Sequence, residues 1–338
     1  MSRKLASIRV IDNIAHIEGA DMIECATIGG WNVVVKKGEF ITGQFIIYFE
    51  VDSWIPTELA SFLSKGQEPS EYNGIKGERL RTIKLRKQIS QGLILSTDSL
   101  PDSITTFYDG MDLTELLNIQ LYEKPLDASL GGVARGNFPS YIPKTNQPRI
   151  QNFKTEFNQY KTDSYTFEVS EKLEGCSMTV YYNDGVFGVC SRNIDLKETA
   201  GNAFWNIARE LLLEEFFKEH NIDGIAIQGE LLAPNIQGNI YKLSKPEFRV
   251  FDVFSITEQR YFTSQERIEF ITKIGIKHVP VLVIVDISTF NDLSDIITFA
   301  EGISMLYNTQ REGVVFKCVE NPSISFKAIS NKYLLKSQ

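Results

Sequence analysis

The chain has no Cys-x-x-Cys pair, and its four cysteines (Cys25, Cys176, Cys190, Cys318) and three histidines (His16, His220, His278) are not spaced as metal ligands. That argues against a zinc site or a disulfide framework and points to a reducing compartment, with the cytoplasm as the expected location. No stretch approaches the roughly 18 apolar residues of a membrane span. Met1-Ser2-Arg3-Lys4 leads into alternating sequence rather than an apolar signal core, so no membrane association is expected. Net positive charge is lacking too: 35 Lys and Arg against 43 Asp and Glu leave -8. Any nucleic-acid contact must therefore use a local basic surface. No feature argues for an oligomer, and a monomer is expected.

What is present is 338 residues of ordinary composition, 43% hydrophobic and 23% charged. That is too long for one ordinary core and implies about two domains. Residues 5 to about 120 read as short strands, among them Trp31-Asn32-Val33-Val34-Val35 and Gln44-Phe45-Ile46-Ile47-Tyr48-Phe49-Glu50-Val51. Gly29-Gly30, Lys37-Gly38, Asn73-Gly74 and Gln91-Gly92 punctuate them, a pattern of a small barrel or sandwich. Between Lys76 and Lys87 lie Arg79, Arg81, Lys84 and Arg86, opposed only by Glu78. Such a run is either a phosphate-tracking stripe or a solvated face. Periodicity fades after Leu121, and Gly131-Gly132 and Gly136 mark a boundary. We divide the chain into a first domain over 1–125, a linker over 126–137 and a second domain over 138–338.

The second domain holds the chain's only Lys-x-x-Gly, Lys172-Leu173-Glu174-Gly175, between two strand patterns that read as a hairpin. Alone, a lysine beside a turn glycine is ordinary. Upstream, Lys144 and Arg149 are two cations near an expected helix start, an arrangement that suits an anion or simply caps the helix. Downstream, apolar residues at helical spacing predict a helix over about 199–220, with Phe204, Ile207, Ala208, Leu211, Leu212 and Phe216 on its core face. A second helix is expected over about 264–273, and a strand and helix within 281–308. Gln228 and Glu230 alternate onto one strand face, Asp252 interrupts an apolar run, and Glu312 and Lys327 lie within others. Buried charges are costly unless paired or metal-bound. Arg192 and Asp252 have a structural reading as ion partners, and Lys317 one as a surface residue or one behind the site.

Nucleotidyl transfer by a covalent lysine needs this inventory. The amine must be neutral to attack phosphorus, and a divalent cation held by carboxylates lowers its proton affinity. Glu174, Glu230 and Glu312 are the candidate holders, directly or through water, and an all-oxygen site suits Mg or Mn. Lys327 is placed to stabilise α-phosphate charge, Arg149 to orient pyrophosphate, and Phe251 to stack on the base.

The ordered set Lys-x-(Asp/Glu)-Gly, Ser-Arg-Asn, Gly-Glu, Phe-Asp, Glu-Gly-x-Val and a strand lysine resembles the covalent nucleotidyltransferase superfamily of ligases and capping enzymes. Within it, the chain resembles ATP-dependent RNA ligases of the Naegleria and Deinococcus type over nearly its whole length. Lys36-Lys37-Gly38-Glu39-Phe40, Leu80-Arg81-Thr82, Lys144-Thr145, Arg149-Ile150-Gln151-Asn152, Gln228-Gly229-Glu230, Arg311-Glu312-Gly313 and Ser325-Phe326-Lys327-Ala328-Ile329-Ser330 belong to it. The resemblance implies an α+β chain, an amino-terminal OB-fold barrel followed by a nucleotidyltransferase domain of mainly antiparallel sheets with flanking helices. It implies Lys172 as the adenylated nucleophile and Glu230 and Glu312 around the catalytic metal's water shell. Lys327 would meet the α-phosphate, Arg149 the pyrophosphate, and Arg192 and Phe251 the nucleotide. ATP, covalent AMP on Lys172 and Mg or Mn are the implied cofactors, and RNA ends or a nicked duplex the substrate. Glu174 stands where the family has aspartate, Asn146 where the relative has aspartate, and Pro148 precedes Arg149. The rivals are a DNA ligase or a GTP-using capping enzyme with the same lysine step, and a non-catalytic OB-fold RNA-binding protein.

Overall fold

The computed structural model describes residues 3–101, 104–123 and 134–336. The chain divides into two compact units, one of residues 1–125, 151–154 and 334–338, the other of 126–150 and 155–333.

The first unit is built of short strands because apolar residues alternate between glycine turns. Six of them are β1 (Ala6–Val10), β2 (Asn13–His16), β3 (Ile23–Ile28), β4 (Trp31–Lys36), β5 (Phe45–Phe49) and β6 (Ser53–Pro56). They are followed by β7 (Ser70–Tyr72), β8 (Ile75–Arg79), β9 (Ile83–Leu85), β10 (Gln88–Ser90), β11 (Leu93–Ser96) and β12 (Gln120–Leu121). These pair in four small sheets, β1-β5-β11, β2-β3-β4, β12-β6-β8-β7 and β9-β10. Alternation along β5 feeds two cores. Ile46 and Tyr48 pack with Trp31, Val33 and Val35 of β4, while Ile47 and Phe49 pack with Ile8, Ile55 and Leu113. Each fully buried aliphatic or aromatic side chain contributes about 1.5–3 kcal/mol. Residues 151–154 join this unit because the Trp31 indole N–H donates to Asn152 Oδ1 at 2.8 Å and the Gly30 N–H to the Gln151 carbonyl at 3.1 Å.

Of the expected linker, 126–133 lie outside the described residues, and 134–137 form a strand instead. This strand, β13 (Ala134–Asn137), pairs with a strand of the second unit despite a register shift beside Gly136. Arg135 secures it, reaching Asp195 at 2.7 Å and the Tyr181 hydroxyl. The glycine expected to mark a break is accommodated in an irregular edge.

The second unit continues with β14 (Thr166–Lys172), β15 (Cys176–Asn183), β16 (Val186–Cys190), β17 (Ile194–Leu196), β18 (Ile225–Leu232) and β19 (Glu247–Ser255). Then come β20 (Arg260–Tyr261), β21 (Lys277–His278), β22 (Val281–Asp286), β23 (Gly313–Cys318) and β24 (Ser325–Ile329). One sheet runs β13-β17-β16-β15-β18-β19-β20, with β21 beside β19, and a second runs β22-β14-β23-β24. Only β19–β21 is a parallel pair among them. The helices are α1 (Lys154–Thr162), α2 (Ala203–Glu210), α3 (Leu213–Glu219), α4 (Ser264–Ile274), α5 (Leu293–Ala300) and α6 (Asn331–Lys336).

Two local expectations are corrected. β14 and β15 are not a hairpin: they lie in different sheets, so the Lys172–Gly175 tetrapeptide carries the chain from one sheet to the other. The single helix over 199–220 is two helices, broken at Leu212, whose φ of 52° is left-handed. The break shifts the apolar face by one residue: Leu212 is exposed, and Leu213 and Phe217 are buried with Phe204, Trp205, Ile207 and Ala208. Arg209 spans the break, bonded to both Glu198 and Glu214. The helix expected over 264–273 is α4, opened by a Thr263–Glu266 capping box and closed by left-handed Gly275.

Candidate active site

Register on the β22-β14-β23-β24 sheet decides which side chains share a face. Lys172 pairs with Gly313, and Gly313 with Ile329; Ser170 pairs with Val315, and Val315 with Lys327. Since side chains alternate, Lys172 and Lys327 lie on one face. The other face presents Phe167, Val169, Val314, Phe316, Phe326 and Ala328, all fully buried. Three of those rings, Phe167, Phe316 and Phe326, pack with centroids 4.9–6.1 Å apart. The lysines are thus held on a rigid aromatic floor.

At the end of β14 the Lys172 Nζ lies 2.6 Å from Glu312 Oε1, both side chains partly exposed at 24% and 15%. The predicted nucleophile and one predicted metal holder are therefore direct partners. Glu312 owes its place to its neighbour Arg311, which is buried. The Arg311 guanidinium donates to the carbonyls of Phe299, Ala300 and Glu301, the open C-terminal end of α5. Arg311 carries no sequence signal beyond its position in the motif.

Glu230 sits on β18 opposite Ser177 of β15. Its carboxyl is pushed up to about 7, chiefly by burial and also by the charge of Glu312, against Lys172, Arg192 and the Gly175 N–H. Glu174 is also raised, by burial and then by Glu312, against the Tyr333 hydroxyl and Lys172. Its Oε2 is buried without a hydrogen-bond partner, and its N–H donates to the Tyr241 hydroxyl at 2.7 Å. Tyr241 and Tyr333 are not foreseeable from sequence, because nothing in their local pattern separates them from core tyrosines. Gly175 and Gly313 are needed for space. A Cβ at 175 would meet the Leu231 carbonyl at 2.6 Å and Glu230 Cγ at 2.8 Å, and one at 313 the Ala328 carbonyl at 2.2 Å.

Two carboxyls, each raised by burial and by the charge of Glu312, and an orphaned oxygen on one of them fit a divalent cation. Among the described residues, however, no three His, Cys, Asp or Glu side chains are close enough to hold one ion directly. The fit is therefore to a hydrated ion gripped through its water.

Arg149 is buried and forms a parallel bridge with Lys327, whose N–H donates to the Pro148 carbonyl at 2.8 Å. Helical structure does start beside it: a 3-10 helix covers Ile150–Asn152 and α1 opens at Lys154. The segment before Arg149 is irregular and tied to the larger sheet. Thr145 and Ser177 hydroxyls are 2.6 Å apart, Lys144 reaches Asn193 at 3.4 Å and Arg192 reaches Asn146 at 3.3 Å. Fully buried Gln228 donates to the Pro143 carbonyl at 2.7 Å, leaving its own Oε1 without a partner.

Phe251 occupies a distinctive backbone position. Gln228 pairs with Asp252 and Gly229 with Val250, so Phe251 is the extra residue of a β-bulge. Bulges re-aim side chains, and alternation alone does not show this one. Its half-buried ring packs near Leu173, Leu232, Tyr241 and Val279. Behind it Asp252 and Lys317 form a buried ion pair across the two sheets, and the Lys317 ammonium also reaches the Phe251 carbonyl at 3.4 Å. Burial pushes Lys317 down to about 7. Lys317 is thus not a surface residue.

Comparison with known proteins matches residues 165–333 to an RNA ligase family model and residues 5–97 to an OB-fold domain model. Among solved structures, a mutant Naegleria gruberi RNA ligase with AMP and Mn is 40% identical, covering 99% of this chain and 100% of that one, at a TM-score of 0.92. Another mutant of that ligase, with ATP and Mn, matches with the same identity, coverage and score. The same ligase with PPi is 41% identical over 98% of each chain, at 0.91. No curated protein sequence matches the chain.

Proposed function

The chain belongs to the RNA ligase family and is an ATP-dependent RNA ligase, and from that premise we propose how its own residues carry the reaction. The Lys172 Nζ attacks the α-phosphorus of ATP, forming an N–P bond as the α–β bridging P–O bond breaks and pyrophosphate leaves. Before attack the amine must give up a proton, and Glu312 Oε1, at 2.6 Å, is the group placed to hold it. A divalent cation, Mg or Mn, held through water by Glu230, Glu312 and Glu174, would supply the charge that lowers the amine's proton affinity. Lys327 neutralises charge building on the α-phosphate from the same sheet face as Lys172. Arg149, bridged to Lys327, orients the pyrophosphate in line. Phe251 stacks on the adenine from its bulge, and Arg192 holds the sugar–phosphate side.

AMP then passes from Lys172 to an RNA 5′-phosphate, forming an anhydride. A 3′-hydroxyl attacks that phosphate, AMP departs and the RNA is joined. We propose nicked or broken RNA as the substrate, a monomer as the acting form and the cytoplasm as the setting. The four cysteines, all free and buried, suit a reducing compartment. No helix of the described residues is long and apolar enough to cross a membrane.

The Lys172–Glu312 pair carries the reading, because a solvated lysine would not be held against a carboxylate at the meeting of two sheets. Sealing assays on nicks with RNA or all-DNA 3′-ends, with ATP or GTP, test the substrate. Sealing of RNA ends with ATP is expected; exclusive sealing of all-DNA nicks, or use of GTP alone, would contradict it.

A further inference from the structure

The basic run between Lys76 and Lys87 separates into two sets in the structure. Lys76 is neutralised by Glu68 at 2.7 Å, and Arg79 by Asp52 at 2.6 Å. Arg81, Lys84, Arg86 and Lys87 are exposed and make no ion pair or side-chain hydrogen bond among the described residues. All four lie on or beside the β9–β10 hairpin, a two-stranded sheet of its own. Its base is fastened to β4: the Val34 N–H donates to Ser90 Oγ at 2.9 Å, and the Gln91 N–H to the Asn32 carbonyl at 2.7 Å. Its tip stands exposed, open to a partner.

The turn at that tip is unexpected. Leu85 pairs with Gln88, leaving Arg86-Lys87 as a two-residue turn with φ of 46° and 71°. Two left-handed residues in succession make the mirror-image turn that favours Asn-Gly or Asp-Gly and disfavours bulky side chains. Elsewhere the chain follows that rule: the β7–β8 turn is Asn73-Gly74 and the β15–β16 turn Asp184-Gly185, with both residues left-handed in each. A chain with net charge -8 thus sets two cations where those two hairpins set Asn or Asp and Gly, and where the β3–β4 turn sets Gly29-Gly30. Keeping a surface wet does not require cations at a strained turn. A polyanion does.

We propose that the β9–β10 hairpin grips the phosphate backbone of the RNA substrate, through Arg86 and Lys87 at the tip and Arg81 and Lys84 along it. This rests on the RNA ligase reading and adds the surface that holds the polynucleotide. Recognition is of charge and not sequence, with exposed Ile83 and Leu85 offering apolar surface to sugars between phosphates.

The test compares wild type with Arg86→Asn/Lys87→Gly and with Arg81→Ala/Lys84→Ala. Fluorescence anisotropy gives the Kd for a nicked RNA duplex across about 50–200 mM salt, thermal melting gives Tm, and intact mass gives AMP uptake. The Asn-Gly variant is expected to melt at or above the wild-type temperature and to take up AMP as wild type does. Its Kd should rise about tenfold or more, and its salt slope should be shallower by about one for each phosphate no longer neutralised. The alanine pair should act in the same direction. Unchanged Kd and salt slope in both variants would overturn the grip. Failure of the wild type to take up AMP would instead count against the ligase reading, while the Kd comparison still decides the hairpin.

Discussion

Lys172 and Glu312 are held together by backbone register: Lys172 pairs with Gly313, so the residue before that glycine meets the lysine's ammonium at 2.6 Å. Gly313 permits this because the Ala328 carbonyl lies 2.2 Å from where a Cβ would stand. Replacing Glu312 by alanine removes the partner of Lys172, the proton holder and ion-site carboxylate we propose. Single-turnover lysine adenylation should fall about 10²–10³-fold. A reduction smaller than about threefold would exclude Glu312 from the chemistry.

pH should act through Glu230 and Glu174, whose carboxyls are raised by burial and by Glu312. Raised carboxyl groups favour the folded state while protonated. Without divalent ions, their contribution to stability is full below about pH 4.5 and is lost as pH rises through about 7 for Glu230. In the proposed mechanism the ionised forms hold the metal, so the adenylation rate should climb with pH up to about 7, and rising Mg or Mn should move that limb to lower pH. Glu230→Gln should abolish the metal-dependent movement. A limb that ignores metal concentration would contradict this.

Arg311 should matter beyond the fold. Arg311→Met strips three carbonyls at the end of α5 of their donor. We expect about 1–3 kcal/mol lower stability and adenylation slower by about tenfold or more, with the KM for ATP little changed. Arg311→Lys should recover stability more than rate. Equal recovery of both would reduce Arg311 to a helix cap.

The Asp252–Lys317 pair separates structure from chemistry. Removing one partner leaves a buried unpaired group, and Asp252→Asn or Lys317→Met alone should cost about 3–5 kcal/mol. The double variant Asp252→Leu/Lys317→Met should recover much of that in a denaturant titration. Additive losses would show that the two act independently.

Much of the candidate site is legible in the sequence: Glu230, Glu312 and Lys327 are conspicuous as ions within apolar strands, and Lys172 is marked only by its place in the ordered set of motifs. The covalent spacing of Lys172 and Gly175, however, cannot show that the chain changes sheets there, since a hairpin has the same local pattern. Nor does alternation expose the bulge at Phe251, which exists only relative to its partner strand. The helix break at Leu212 is hidden for a similar reason. Helical periodicity tolerates a one-residue shift, and Arg209 with its partners Glu198 and Glu214 reads as ordinary surface charge. The basic run reads as one feature, and only Glu68 and Asp52, each outside the run, divide it.

Above all, Lys172 should become covalently adenylated. Intact mass after pyrophosphate treatment, then incubation with ATP and Mg or Mn, tests it on wild type and Lys172→Ala. A gain of one AMP is expected on the wild type and none on the variant. An equal gain on both, or none on the wild type with either metal, would contradict it.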